Sequence, residues 1–168
     1  MKETSPKTRS PNHGMRGRIL MKLDTKYLGV VEIDERKKIN FPNGLPGFPE
    51  ETEFIILELP NNAAFQLLQS TKTSNLAFVI TNPYLFYQAY ELKLDEDLLD
   101  LLKITAKEDV AVYAIVTLNK PFSQSTMNLR APIIINTKQL IGKQYILSDH
   151  TYSSKVAIAP DEKGARTC

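Results

Sequence analysis

The stretch DVAVYAIVTLN, residues 109–119, is the most strand-like part of this chain and decides its fold class. β-Branched and aromatic residues alternate along it, and both of the resulting faces are largely apolar. A strand that is covered on both faces lies inside a sheet rather than at its margin. We therefore predict that residues 109–119 form the central strand of a mainly β domain.

Shorter strand-like segments lie on both sides of this central strand, and turn-forming residues separate them. The densest punctuation is PNGLPGFP at residues 42–49, which predicts a loop with tight turns. The other strand segments are KYLGVVEI (26–33), KKINF (37–41), EFIILELP (53–60), AFQLLQS (64–70), LAFVIT (76–81), NLRAPIIIN (128–136) and GKQYIL (142–147). Their number and spacing predict a small antiparallel β-barrel that is open or nearly closed.

One segment, LDEDLLDLLKI at residues 94–104, is helical in pattern. Asp95 suits the N-cap position, and acidic residues follow it in the first turn, where the helix dipole favours negative charge. The apolar positions recur at i, i+3 and i+4 and define one face: Leu98, Leu101 and Leu102. We predict one short helix here.

Charge is distributed unevenly along the chain. The 168 residues include 21 Lys and Arg against 19 Asp and Glu, so the formal net charge is +2. Residues 1–20 carry five basic residues and one acidic residue, and residues 161–168 are neutral, which leaves the body mildly acidic. An acidic body repels phosphate backbones, so the basic pI of the whole chain does not indicate a nucleic-acid-binding protein.

These patterns also predict the domain boundaries and the compartment. We predict a disordered basic extension at residues 1–20, a single β domain at 21–155 and a disordered tail at 156–168. The first 20 residues lack the apolar run of a secretory signal, and no stretch approaches 18 apolar residues. We therefore expect a cytoplasmic protein that does not bind membranes.

The residues that catalysis or metal binding requires are scarce. Cys168 is the single cysteine, and His13 and His150 are the two histidines, which excludes an intramolecular disulfide and a Cys- or His-based zinc site. There is no phosphate-binding glycine motif and no G-x-S-x-G elbow. We interpret His150 in SDHTY as a solvated loop histidine. We therefore expect no catalytic residues, no metal and no cofactor.

The predicted helix carries a dense acidic group. Three interpretations are open: a solvated helix face, a negative surface for a basic partner, or a pair of carboxylates in catalysis. The group consists of Asp95, Glu96, Asp97 and Asp100.

An aromatic group precedes the helix in NPYLFYQAYELKL, residues 82–94. A two-residue period places Tyr84, Phe86 and Tyr90 on one strand face and Tyr87 on the other. Such residues belong to a core, to a protein interface or, less in keeping with the few flanking cations, to a base-stacking surface.

Longer segments of the chain resemble the flagellar assembly factor FliW family. The resemblance is carried by MKLDTKYLGVVEI, FPNGLPGF, LQSTKTSNLAFVITNPYLFYQAYEL, EDVAVYAIVTL and NLRAPIIINTKQLIGKQYIL, in this order, and it covers residues 21 to about 152. It implies a small open barrel that acts in the bacterial cytoplasm without catalysis. It further implies two protein partners, flagellin and the translational repressor CsrA: binding of CsrA frees the flagellin messenger, and accumulating flagellin takes the factor away.

The residues suggest a surface for each implied partner. Because an RNA-binding repressor is basic, we assign CsrA binding to the acidic group, Asp95, Glu96, Asp97 and Asp100. We assign flagellin binding to the exposed members of Tyr84, Phe86, Tyr87 and Tyr90, together with Phe48 in the loop. We expect a monomer that does not contact nucleic acid directly. The alternatives are an RNA-binding β-barrel that uses the basic extension and a hydrolase built around His150.

Overall fold

The computed structural model describes residues 18–158; the predicted tail beyond residue 158 and most of the predicted extension lie outside the described residues. The described chain is mainly β, with one short α-helix. Its elements are β1 (Leu20–Thr25), β2 (Gly29–Asp34), β3 (Ile39–Asn40), β4 (Glu53–Leu59), β5 (Asn62–Ser70), β6 (Ala77–Thr81), α1 (Glu96–Leu101), β7 (Val110–Thr117), β8 (Thr126–Met127), β9 (Ile133–Asn136), β10 (Ile141–Gln144) and β11 (Val156–Ala157).

The main sheet closes on itself around β7. The strand order is β11-β8-β7-β6-β5-β4-β3-β10-β9, and a further pairing of β9 with β7 closes the seven strands from β7 to β9 in this order into a ring, which leaves β8 and β11 outside it. This confirms the predicted mainly β architecture and the central position of residues 109–119. The pairings are antiparallel except for β3 with β10, which run parallel at Asn40 and Ile141. β10 forms an antiparallel hairpin with β9, its neighbour along the chain. It meets β3, which is distant along the chain, without a hairpin, and the two strands run parallel.

Alternation along β7 separates an inner core from outer clusters. Ala111, Tyr113 and Ile115 pack against the inner core, which is built around the edge-to-face pair of Phe41 and Phe54, whose ring centroids are 5.3 Å apart. The residues between them pack outward against other elements. Both faces of β7 are thus apolar because both are covered.

Three elements cover the outside of the ring. The β1–β2 hairpin lies over β4 through Leu23, Ile33 and Ile55. Helix α1 lies over β9 through Leu98, Leu102 and Ile134. The aromatic segment after β6 and the end of the described chain pack around Phe65, Tyr90, Met127 and Ile158. The acidic and aromatic groups therefore stand on neighbouring parts of one outer layer.

The structure corrects three details of the sequence-based predictions. Leu101 is 40% exposed because Leu98 and Leu102, four residues apart, take the buried stripe of α1. The aromatic segment begins with a 3₁₀ turn at Pro83–Leu85, not a strand, because the Asn82 side chain caps it and accepts a 2.9 Å hydrogen bond from the Tyr84 N–H. The fold also runs past the predicted boundary at 155, since β11 pairs with β8.

Candidate partner-binding surfaces

Asp95 holds the start of α1 in place. One carboxylate oxygen accepts a hydrogen bond from the Leu98 N–H at 2.8 Å, and the other accepts one from the Tyr145 hydroxyl at 2.9 Å. Both bonds lower the pKa of Asp95, and the bond from the Leu98 N–H contributes the larger part. The N-cap prediction is confirmed, and this residue positions the helix rather than presenting a free charge.

The other three acidic residues are exposed, as is Asp95 itself, and form what we call the acidic surface: Glu96, Asp97 and Asp100. Within residues 18–158, none of the three forms an ion pair. A shallow groove of about 170 Å³ runs beside them, and its lining includes Asp97, the exposed Leu101 and Lys143. The acidic surface therefore combines three carboxylates, without an ion pair among the described residues, with a bordering apolar side chain and one nearby cation, and its excess of negative charge suits a basic protein partner.

The aromatic group divides into exposed and buried members. Tyr84 is 36% exposed, whereas Tyr90 is 4% exposed and donates its hydroxyl hydrogen to the Leu129 carbonyl at 2.7 Å. The pKa of Tyr90 is raised, mainly because burial removes its hydroxyl from water. The ring centroids of Tyr84 and Tyr90 are 5.6 Å apart, and those of Tyr90 and Tyr152 are 4.7 Å apart. Tyr90 is therefore the buried support on which the exposed Tyr84 rests.

Phe86 and Tyr87 are half-buried. The Tyr87 hydroxyl donates to the Ala157 carbonyl at 2.6 Å, which ties this segment to β11. The rings of Phe86 and Phe65 stack with their centroids 6.2 Å apart, and the rings of Phe122 and Phe65 meet edge to face at 6.0 Å.

Sequence reasoning missed two members of this region, Leu85 and Phe122, which are 57% and 46% exposed. Exposed apolar side chains that stand together mark interaction sites. No sequence signal pointed to Phe122, because the loop PFSQST is far away along the chain. We call Tyr84, Leu85, Phe86 and Phe122 the aromatic surface.

Phe48 does not join the aromatic surface. Its ring packs on Phe78 at 5.8 Å, and Phe78 belongs with the inner core. The aromatic surface instead rests on the outer cluster around Phe65. The two sites therefore lie on different faces of the sheet.

The described residues contain no constellation for metal chemistry. No group of three His, Cys, Asp or Glu side chains within residues 18–158 is placed to hold a metal ion. His150 is exposed. No helix in this part of the chain has the length and apolar character needed to cross a membrane.

Comparison with known proteins identifies the family. The family model for the FliW protein matches residues 22–158. The flagellar assembly factor FliW of Oceanobacillus iheyensis is 52% identical over 138 residues, which cover 82% of this chain and 94% of that protein. Its counterpart from Bacillus velezensis is 47% identical over 135 residues, covering 80% and 94%.

A solved structure gives the same assignment. The crystal structure of a flagellar assembly factor FliW superposes with a TM-score of 0.81 at 42% identity, over 84% of this chain and 99% of the other. Identity at this level over nearly the whole of each relative extends beyond a shared fold. This chain belongs to the FliW family of flagellar assembly factors.

Proposed function

We propose that this flagellar assembly factor acts without catalysis, by binding flagellin and the repressor CsrA and so coupling the level of flagellin to its translation. The observation that carries the proposal is the presence of two exposed surfaces of opposite chemistry on one small fold. The acidic surface lies on α1, and the aromatic surface lies on the turn after β6 and the loop before β8. We expect the protein to do this as a cytoplasmic monomer.

The acidic surface is proposed to bind CsrA. Its carboxylates are exposed and carry no ion pair with other residues in 18–158, so binding a basic partner breaks no existing ion pair. Charge complementarity of this kind mainly speeds association, and salt weakens it. Asp95 supports the surface indirectly, because it fixes where α1 begins.

The aromatic surface is proposed to bind flagellin. Flagellin reaches this protein before export, and an amphipathic helix that lies against exposed aromatic side chains is a common mode of peptide recognition. Tyr84 and Phe122 are the most exposed rings in this surface, and buried rings hold both from below. A rigid aromatic residue on a buried support is typical of an interface hot spot.

The CsrA assignment is tested by charge reversal. We expect the double variant Asp97→Lys, Asp100→Lys to weaken CsrA binding by tenfold or more at low salt in titration calorimetry, and by less as salt rises. The matched control is Asp24→Lys, Glu32→Lys on the exposed face of the β1–β2 hairpin, which makes the same charge change elsewhere. Equal effects from the two double variants would refute the assignment.

The flagellin assignment is tested by truncating rings. We expect Tyr84→Ala and Phe122→Ala each to weaken flagellin binding about tenfold or more in a pull-down with quantified titration. Tyr27→Ala is the control, since Tyr27 is also exposed but lies on the β1–β2 turn. If both ring variants bind flagellin as tightly as the unmodified protein, the assignment of flagellin binding to the aromatic surface is wrong.

The alternative, direct binding of messenger RNA, has its own test. An electrophoretic mobility shift with flagellin leader RNA, in the absence of CsrA, should show no complex. A shift that disappears when residues 1–17 are deleted would favour the RNA-binding interpretation and contradict the proposed function.

A further inference from the structure

The outward edge of the chain is uncovered from Gln144, the last residue of β10, to Ile146 just beyond the strand. The N–H groups of Tyr145 and Leu147 donate to the carbonyls of Pro132 and Arg130, both at 2.8 Å. Because bonded and outward-facing residues alternate in an antiparallel pair, the N–H groups of Gln144 and Ile146 point away from β9. Within residues 18–158 neither N–H has a hydrogen-bond acceptor. We call Gln144–Ile146 the open edge.

Pro42 explains why β3 leaves this edge uncovered. β3 pairs with β10 at a single position, Asn40 with Ile141, and the Asn40 N–H bonds to the Leu140 carbonyl at 2.9 Å. In a parallel ladder, the next hydrogen bond from this strand would come from the N–H of the residue two positions after Asn40. That residue is Pro42, which has no N–H. The chain then turns into the loop at 43–49 instead of continuing along β10.

The open edge and this loop line an open cavity of about 310 Å³. The loop side of the cavity is formed by Asn43, Gly44, Leu45, Pro46, Gly47 and Pro49. An extended segment of another polypeptide can pair with the two free N–H groups along one side of this cavity.

The chemistry of the cavity selects among extended segments. Ile146 is 60% exposed and lies beside the prolines of the loop, so it offers an apolar contact. Lys143 is the one charged residue of the cavity lining, and it forms no ion pair within the described part of the chain. Side chains alternate along a strand, so Lys143 and Ile146 contact opposite faces of an added strand.

We propose that the open edge of β10 binds an extended peptide segment of another protein by strand addition, and that this segment alternates apolar and acidic residues. The main chain of the segment pairs with the free N–H groups of Gln144 and Ile146. Its apolar side chains pack on Ile146 and the prolines, and a carboxylate meets Lys143. This site borders the acidic surface, because Lys143 also lines the groove beside α1 and the Tyr145 hydroxyl bonds to Asp95, but strand addition here does not depend on what the acidic or aromatic surface binds.

Amide hydrogen exchange by NMR tests the proposal with acetyl-Thr-Val-Glu-Val-Thr-amide as the probe. In the free protein, the amides of Gln144 and Ile146 should exchange rapidly while Tyr145 and Leu147 are protected. At a peptide concentration ten times Kd, exchange at Gln144 and Ile146 should slow about tenfold, because only about a tenth of the protein is free. Unchanged exchange at both amides under millimolar peptide overturns the proposal.

Matched probes and variants separate strand addition from other binding. The same peptide with every backbone nitrogen methylated should not bind, and replacing its Glu by Lys should weaken binding. Lys143→Glu should reverse that charge preference without disturbing the fold, and Ile146→Pro should abolish binding by removing one free N–H. Equal binding of the methylated peptide, or protection that grows with protein concentration alone, overturns the proposal; the second result indicates pairing between copies.

Discussion

Gln69 lies at the centre of a hydrogen-bond network that joins two loops, and replacing it tests how much that network contributes to stability. The side chain is fully buried, and its oxygen accepts a 3.0 Å hydrogen bond from the Lys26 N–H in the β1–β2 turn. Its amide nitrogen lies within 3.0–3.4 Å of four carbonyls of the β5–β6 loop region: Ser70, Thr73, Ser74 and Leu76.

The expected loss of stability in Gln69→Leu depends on which backbone groups of the described chain have no other hydrogen-bond partner than the Gln69 side chain. The Thr73 and Leu76 carbonyls keep backbone donors, whereas the Lys26 N–H and the carbonyls of Ser70 and Ser74 do not. Three net hydrogen bonds at about 1 kcal/mol each give a loss of about 3 kcal/mol in the free energy of unfolding. For a chain of this size the melting temperature should fall by roughly 6–12 °C.

Urea denaturation followed by circular dichroism measures this loss, with Gln66→Leu as the control. Gln66 lies on the same strand but makes a surface hydrogen bond to Glu58, so its replacement should change the free energy of unfolding by less than about 0.5 kcal/mol. Equal midpoints for the two variants, with unchanged slopes, would refute the reasoning.

A second variant, Gln69→Glu, sharpens the test. It points a carboxylate at four carbonyls, so the charged form is disfavoured in the folded state and the pKa of the new side chain is raised. A raised folded-state pKa means that the penalty is fully present above that pKa and shrinks as pH falls below it towards the pKa of the unfolded chain. The deficit relative to the unmodified protein should therefore be smaller at pH 5 than at pH 7.

Three further outcomes are expected. Leu102→Ala should lower the free energy of unfolding by about 2–5 kcal/mol in urea denaturation, because this side chain is fully buried beneath α1; a loss below about 1 kcal/mol would contradict that packing. Gly44→Ala should cost far more than Gly29→Ala in thermal melts: both have positive φ, but a Cβ on Gly44 would lie 2.4 Å from a backbone oxygen, whereas Gly29 faces open space. The side-chain hydrogen bond from Arg36 holds the pKa of Asp34 well below its usual range, so its stabilisation is present at neutral pH and is lost as pH falls below about 4; Asp34→Asn should flatten the acid limb of the stability curve.

Local physical signals explain why some elements were predictable. The N-cap of α1 follows from one residue, Asp95, whose side chain reaches the Leu98 N–H three positions along. The strand at residues 109–119 follows from β-branched and aromatic residues that need cover on both faces. Neither inference required knowledge of a distant part of the chain.

Long-range pairing explains what remained out of reach. The segment at Tyr84 has an aromatic pattern that fits a strand, but the Asn82 cap and the lack of a neighbouring strand override it. The aromatic surface includes Phe122 only because Phe65 bridges it to Phe86. The open edge at β10 depends on a proline about a hundred residues earlier, and no local window contains both.

The closure of the ring has a consequence for synthesis at the ribosome. The seam between β7 and β9, and the insertion of β10 beside β3, need residues up to 144, so the ring cannot form while the C-terminal quarter is still inside the ribosome. Helix α1 packs on Ile134 of β9 and therefore has no surface to pack against until β9 has been synthesised. An unfinished chain consequently presents neither surface in its final geometry, and we expect that nascent copies do not compete with mature ones for partners.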